Sequence, residues 1–270
     1  MSEPIEAPQT REGWYVLHDQ WRVDWPRWQA LTLSERELLC TGLLDWLAAV
    51  PTSDGDSAAY AVIGQKADLL FVHYRRTLPE LHELSTALHR LAIAAELNPA
   101  GSFLSVIEAS LYEVTARVRG TLARQGLQPG APGYDEALAR ETASATAALE
   151  ERLFRTIPPQ RYLCWYPMSK RRSGADNWYT LSMDERRTMM RGHGQVGHQF
   201  AAQVTQVVSG AIGLDDWEWG VDLHGDDPLA FKKLVTAMRY DEGSARFAEF
   251  GPFLIGLRQD AAQLKTLLLS

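Results

Sequence analysis

Apolar positions along this chain change period in a fixed order, and the order occurs twice. Residues 13–25 (GWYVLHDQWRVDW) are dense in aromatic and β-branched types and predict a strand. Residues 34–50 follow with Leu38, Leu39, Leu43, Trp46 and Leu47 at helical spacing, behind Ser34 and Glu37 as a capping box. Residues 59–75 read as two strands joined near Gly64. Thr77, Pro79 and Glu80 open a second helix with the stripe Leu81, Leu84, Leu88 and Leu91, and residues 103–113 predict a further strand.

The second half repeats this βαββαβ order. A strand is predicted at 161–170. Ser182 and Glu185 then open a helix toward His193, and strands follow at 202–209 and 216–224. Asp227 and Pro228 start a helix running to about Arg239, and residues 246–258 end the unit as a strand. A Gly-, Pro- and Gln-rich loop near 119–133 and an Ala-rich helix over 134–154 separate the copies. The expected fold class is therefore α+β, with two ferredoxin-like units per chain. The expected division is 1–118, a linking loop and helix at 119–154, and 155–270.

Composition narrows the function. The chain has 270 residues, a net charge of −7 and no basic stripe, which argues against a nucleic-acid binder. Cys40 and Cys164 sit alone among apolar residues and predict buried thiols. The N-terminal MSEPIEAPQT has neither a basic region nor an apolar run, and no stretch approaches the roughly 18 apolar residues of a membrane span. These features predict a cytoplasmic protein.

Residues with unusual chemistry crowd into 152–250. Strand alternation places Tyr162, Cys164, Tyr166, Met168 and Lys170 on one side of 162–170. Read alone, Tyr166 and Lys170 describe a satisfied phenol and a lysine stem lying on apolar surface, a common pair. His193 lies between Gly192 and Gly194, where a flat ligand could approach the backbone. It could bind a metal or haem iron, or simply sit near a helix C-terminus. His198, five residues on, does not make a helical zinc pair. Gln206 shares a face with Val204 and Val208, and Trp217, Trp219, Val221 and Leu223 form an aromatic-apolar stripe. Arg239, Ser244 and Arg246 could hold carboxylates or form surface pairs. Together these residues suit a porphyrin with propionates.

The motifs YPMSKRR, NWYTLSMDER, MRGHGQVG, GLDDWEWGVDL, DPLAFKKL and MRYDEGSARFAEFGPFLIG resemble those of the coproheme decarboxylases of the chlorite dismutase superfamily. The resemblance is dense over 150–257 and looser at GQKADLLFVHYRRT. It implies paired ferredoxin-like units with porphyrin in the second, assembled as a ring, usually a homopentamer. It implies His193 as the iron ligand, Tyr166 as the catalytic tyrosine and Lys170 as its companion. Pro167, Met168 and Ser169 would complete the substrate-binding strand, Arg152 and Ser244 would bind propionates, and Gln206 would stand on the distal side. Met168, Trp178, Trp217 and Arg239 would line the pocket or its hydrogen-bond network.

The implied reaction converts iron-coproporphyrin III (coproheme) to haem b with hydrogen peroxide, two propionates leaving as carbon dioxide. A coproporphyrin ferrochelatase would supply the substrate. Gln206 stands where chlorite dismutases carry arginine, and Trp165 and Ser169 depart from common family choices without touching a proposed catalytic group. The alternatives are a chlorite dismutase-like or peroxidase haem enzyme, and a haem carrier or sensor.

Overall fold

The computed structural model describes residues 10–50, 54–110, 118 and 120–270, without the side chains at 110 and 145–148. The first unit comprises β1 (Thr10–Val23), α1 (Trp25–Ala30), α2 (Leu33–Ala49), β2 (Gly55–Val62), β3 (Leu69–Arg75), α3 (Leu78–Arg90) and β4 (Leu97–Ser110). After α4 (Tyr134–Leu153) come β5 (Tyr162–Lys170), α5 (Met183–His198), β6 (Thr205–Gly210), β7 (Trp219–Gly225) and α6 (Pro228–Arg239). The chain ends with α7 (Glu242–Phe247), β8 (Ala248–Phe250), β9 (Leu254–Gln259) and α8 (Ala261–Leu269).

The strands run antiparallel in the order β7-β6-β4-β1-β3-β2-β9-β5-β8, and β5 also pairs with β7. That extra pairing closes every strand except the short β8 into a barrel. Each half contributes one ferredoxin-like sheet, β4-β1-β3-β2 and β6-β7-β5-β9. The halves meet at two seams, β4–β6 and β2–β9. At the first seam the Trp219 indole N–H donates to Glu108 Oε1 at 2.9 Å. A side chain on Gly210 would meet that Glu108 carboxylate, which would have to move from its place beside Trp219.

Alternation sends one face of each strand inward and the other outward. Trp14, Val16, Tyr60, Leu70, Val72, Phe103, Leu163, Trp165 and Val207 pack inside the barrel. The lumen also holds a buried hydrogen-bonded pair, His18 Nε2 and Asp222 Oδ1 at 2.8 Å, which joins β1 of one unit to β7 of the other. Outside, the two units differ. The first is sealed by Trp28, Cys40, Leu43, Leu88, Leu264 and Leu268, with the Trp28 indole bonded to Leu268 O at 2.7 Å. The second buries Cys164, Tyr166, Val221, Leu223, Phe231 and Leu234, but Tyr162, Met168, Val196, Phe200, Phe250 and Phe253 remain only partly covered.

Several expectations shift. The first capping box is Thr32–Glu35, since Thr32 takes the N–H of Glu35 while Glu35 reaches back to Thr32 N at 2.7 Å. The fourth strand begins at Leu97, and its expected residues 111–113 lie outside the described residues. Residues 246–258 are not one strand, because Asp241 caps α7, whose last turn reaches Phe247 before β8 and β9. The final helix, counted with the second unit from sequence, covers the first: Leu264 and Leu268 find their apolar partners on α1 and α2. Cys40 and Cys164 are free and buried, as predicted.

Burial pushes the imidazole of His224 down to about 4, against the pull of Asp222 and with Arg258 and Arg155 nearby. The unfolded chain therefore takes up a proton before the folded one. The stability His224 contributes is complete above about 6.5 and is lost as pH falls toward 4. In His224→Gln, the slope of unfolding free energy against pH in that window should be shallower by up to one proton. An unchanged slope in urea titrations would contradict this account of the lumen.

Candidate functional site

The incompletely covered outer face of the second unit is where the unusual residues gather. Register fixes its floor: Tyr166 pairs with Val221, Cys164 with Leu223, and Gln206 with Leu223 from the other side. Paired residues in antiparallel strands project to the same side, so Tyr166, Val221, Leu223 and Gln206 share it. Gln206 is exposed at its margin. The Tyr166 ring stacks on Phe253 with centroids 4.3 Å apart, and Phe250 lies 5.7 Å away. The Arg239 guanidinium sits 4.4 Å over the Phe250 ring. Burial raises the Tyr166 phenol well above its ordinary value, so it keeps its proton at neutral pH.

Helix α5 brings His193 to this face. It starts at a complete Ser182–Glu185 capping box, as the sequence predicts. Val196, one turn after His193, and Phe200, in the turn that follows the helix, pack against the cluster on the floor. Gly197 permits this placement, because a methyl there would press on Met238 of α6 at 3.2 Å. A methyl at Gly194 would meet nothing within 4 Å, which leaves open space beside His193.

His193 is held at one nitrogen. Its Nδ1 lies 3.1 Å from Asp241 Oδ2 and 3.3 Å from Ser244 Oγ. Among the described residues both polar contacts of the ring are at Nδ1, which leaves Nε2 on the opposite edge. Burial lowers the imidazole's pKa while Asp241 opposes that shift. The neutral ring with its proton on Nδ1 donates to Asp241 and presents the Nε2 lone pair, the form that binds metals. Among the described residues no cluster of three or more His, Cys, Asp or Glu is arranged to hold a metal ion. A metal on His193 would have to bring other ligands with it.

Lys170 ends β5 beside this group. Its Nζ donates to Gly243 O at 3.2 Å and lies 4.3 Å over the Trp178 ring. Burial pushes its ammonium down to about 8, against Asp241 and Glu218. Tyr166 and Lys170 share the outer face with Met168 between them. Their Cα atoms are about 13 Å apart by the strand rise, so the two side chains serve different parts of the site.

Not every expected residue arrives. Arg152 is exposed on the last turn of α4, and no described contact ties it to His193. Trp217 precedes β7 and packs toward the lumen cluster, out of line with Trp219 and Val221. Ser169 is buried, and its hydroxyl accepts from Glu218 N at 3.3 Å. Pro167 O accepts from Gly251 N at 2.8 Å. Ser244 is 5% exposed, and its hydroxyl lies 3.3 Å from His193 Nδ1. Sequence reading passed over Asp241, Glu218, Phe250 and Phe253. Asp241 had one usable signal, an Asp followed three residues later by Ser at a helix start.

A family model described as chlorite dismutase matches residues 40–259. The chain belongs to the chlorite dismutase family. Solved structures agree with that membership. A protein from Thermus thermophilus, described as a novel heme-binding protein, is 39% identical and superposes with a TM-score of 0.84, with 99% of each chain covered. A mutant chlorite dismutase from Candidatus Nitrospira defluvii, 17% identical, has a TM-score of 0.73 over 96% of this chain and 97% of its own. This second likeness concerns the fold alone. Among the described residues of this family member, no helix is long and apolar enough to cross a membrane.

The hold on His193 can be read directly. Imidazole 15N NMR of the parent protein should show the proton on Nδ1 at neutral pH. Asp241→Ala should transfer part of the population to the Nε2–H tautomer. A parent ring protonated at Nε2 would contradict the geometry.

Proposed function

We propose that this chain is a coproheme decarboxylase, converting iron-coproporphyrin III to haem b with hydrogen peroxide as oxidant. One observation carries the reading: a histidine fixed at Nδ1 stands over an apolar face that also bears a buried tyrosine and a buried lysine. Membership of a family with a heme-binding relative at 39% identity supports a haem-type cofactor.

The residues suit an iron porphyrin. His193 would supply its one protein ligand, and Asp241 would keep the ring oriented and basic. Tyr166, Met168, Phe250 and Phe253 offer aromatic and apolar surface to the macrocycle. Gln206, exposed at the far margin, offers a neutral amide to the distal side. The bound iron supplies the redox chemistry that peroxide drives. In the overall balance, each propionate gives up carbon dioxide, one proton and two electrons to become a vinyl group. One peroxide takes up those electrons, that proton and a second proton from solvent, and becomes two waters.

The chain's own part is position and charge. Tyr166 keeps its phenolic hydrogen at neutral pH, so it can pass a hydrogen atom to the peroxide oxidant and then recover one from the propionate β-carbon, which gives up its second electron as the bond to the carboxylate breaks and carbon dioxide leaves. Phe253, stacked on its ring, fixes the plane in which that exchange occurs. Lys170 holds a second carboxylate as a point cation. Ring assembly as a homopentamer and delivery of coproheme by a coproporphyrin ferrochelatase belong to the same reading. A second reading is a haem carrier or sensor without turnover; the Thermus protein's description as heme-binding fits either reading.

Tyr166→Phe separates the two. Removing only the hydroxyl should leave coproheme affinity within about threefold of the parent. It should cut formation of haem b by at least about a hundredfold, the size expected for losing a proton- or hydrogen-transfer group. Mass spectrometry after peroxide addition measures both vinyl products and three-propionate intermediates. A parent protein that binds coproheme and releases no carbon dioxide establishes the carrier reading. Conversion by Tyr166→Phe at the parent's rate removes the phenol from the mechanism.

A further inference from the structure

Glu218 lies between two tryptophans just before β7 and is only 6% exposed. A buried carboxylate is costly unless its environment uses the charge. Its surroundings do use it. Glu218 Oε2 accepts the backbone N–H of Lys170 at 2.7 Å, the last residue of β5. Its own backbone N–H donates to Met168 O at 3.1 Å and lies 3.3 Å from Ser169 Oγ, and its carbonyl accepts from Ala211 N at 2.7 Å. The Arg172 guanidinium stands 3.7 Å from Oε1. The Tyr179 phenol is close enough that the Glu218 charge adds to burial in raising its pKa.

These contacts converge on the end of β5 and on the turn that carries Trp178. The turn matters because the Trp178 ring lies beneath the Lys170 ammonium and rests edge-on against Phe247, with centroids 5.4 Å apart. We propose that Glu218 is the positioning residue for Lys170, anchoring its backbone and supplying a buried counter-charge that keeps the ammonium ready for a porphyrin carboxylate. The consequence for carboxylate binding rests on the porphyrin reading. The anchor itself is a property of the porphyrin-free chain.

The charges facing Lys170 come from several elements. Asp241 at the start of α7 and Glu218 before β7 favour the ammonium, while His193 on α5 is neutral at pH 7 by its lowered pKa. Burial opposes both carboxylates and wins, leaving Lys170 near 8. One of the two counter-charges therefore decides how much of the lysine is charged at neutral pH. A merely structural glutamate would affect melting temperature and leave this titration alone.

The test is 13C NMR of the Lys170 side chain in porphyrin-free protein across pH. Glu218→Gln keeps an acceptor for the Lys170 N–H and removes the charge. The Lys170 midpoint should fall by about one unit, the effect of losing a nearby opposite charge. Glu218→Asp, which retains the charge, should restore most of the shift. A midpoint in Glu218→Gln equal to the parent's overturns the proposal. A second measurement needs no substitution: in the parent, the Lys170 amide should be protected from hydrogen exchange and should shift as a buried carboxylate titrates. An amide that exchanges like an exposed one overturns the anchor. Both readouts proceed without porphyrin, so they succeed or fail apart from the proposed reaction.

Discussion

Strand β5 is hydrogen-bonded along both edges, to β7 and to β9, and that double pairing determines what the rest of the molecule can be. It turns two ferredoxin-like sheets into one closed barrel, so each strand must commit one face to a lumen and the other to a helical cover. On β5 the consequence is sharp. Trp165 goes inward, its ring tilted against His18 with centroids 5.0 Å apart, while Tyr166 and Cys164 go outward. A slip of one residue would exchange the lumen's indole for the site's phenol. The His18–Asp222 pair ties β1 to β7 across the lumen, joining the two units inside the barrel.

The two outer faces explain why function gathers in one half. On the first unit, α1, α2 and the final helix α8 fill the surface with Trp28, Leu43, Leu264 and Leu268. On the second, no counterpart of α8 is present among the described residues. Val196 of α5 and Phe200 in the turn after it pack on the sheet, and Met168, Phe250 and Phe253 stay part-exposed. The first half uses its helices for burial, and the second retains apolar surface that a flat ligand could cover.

Much of this was legible from sequence. The period changes gave the strand and helix order, and alternation on YLCWYPMSK placed Tyr166 and Lys170 on a common face. The Thr77–Glu80 and Ser182–Glu185 boxes set helix starts because their hydrogen bonds are local. Failures occurred where long-range packing decided. The Ser34–Glu37 pair matches the same local pattern as Thr32–Glu35, and nothing local separates them. Trp217 looked like part of the stripe because alternation cannot locate the first residue of a strand. Asp241 and Glu218 were missed because acidic residues in polar runs look solvated; only tertiary contacts bring one to His193 and the other to Lys170.

The site consists of a clamp and a face. Asp241 and Ser244 grip His193 by Nδ1, and the outer sheet of the second unit supplies the surface on which a porphyrin would lie. Resonance Raman spectroscopy of the ferrous porphyrin complex tests this most directly. The account predicts an iron–histidine stretch in the parent that disappears in His193→Ala while the fold is retained. A stretch that survives that substitution, or its absence in the parent, would contradict it.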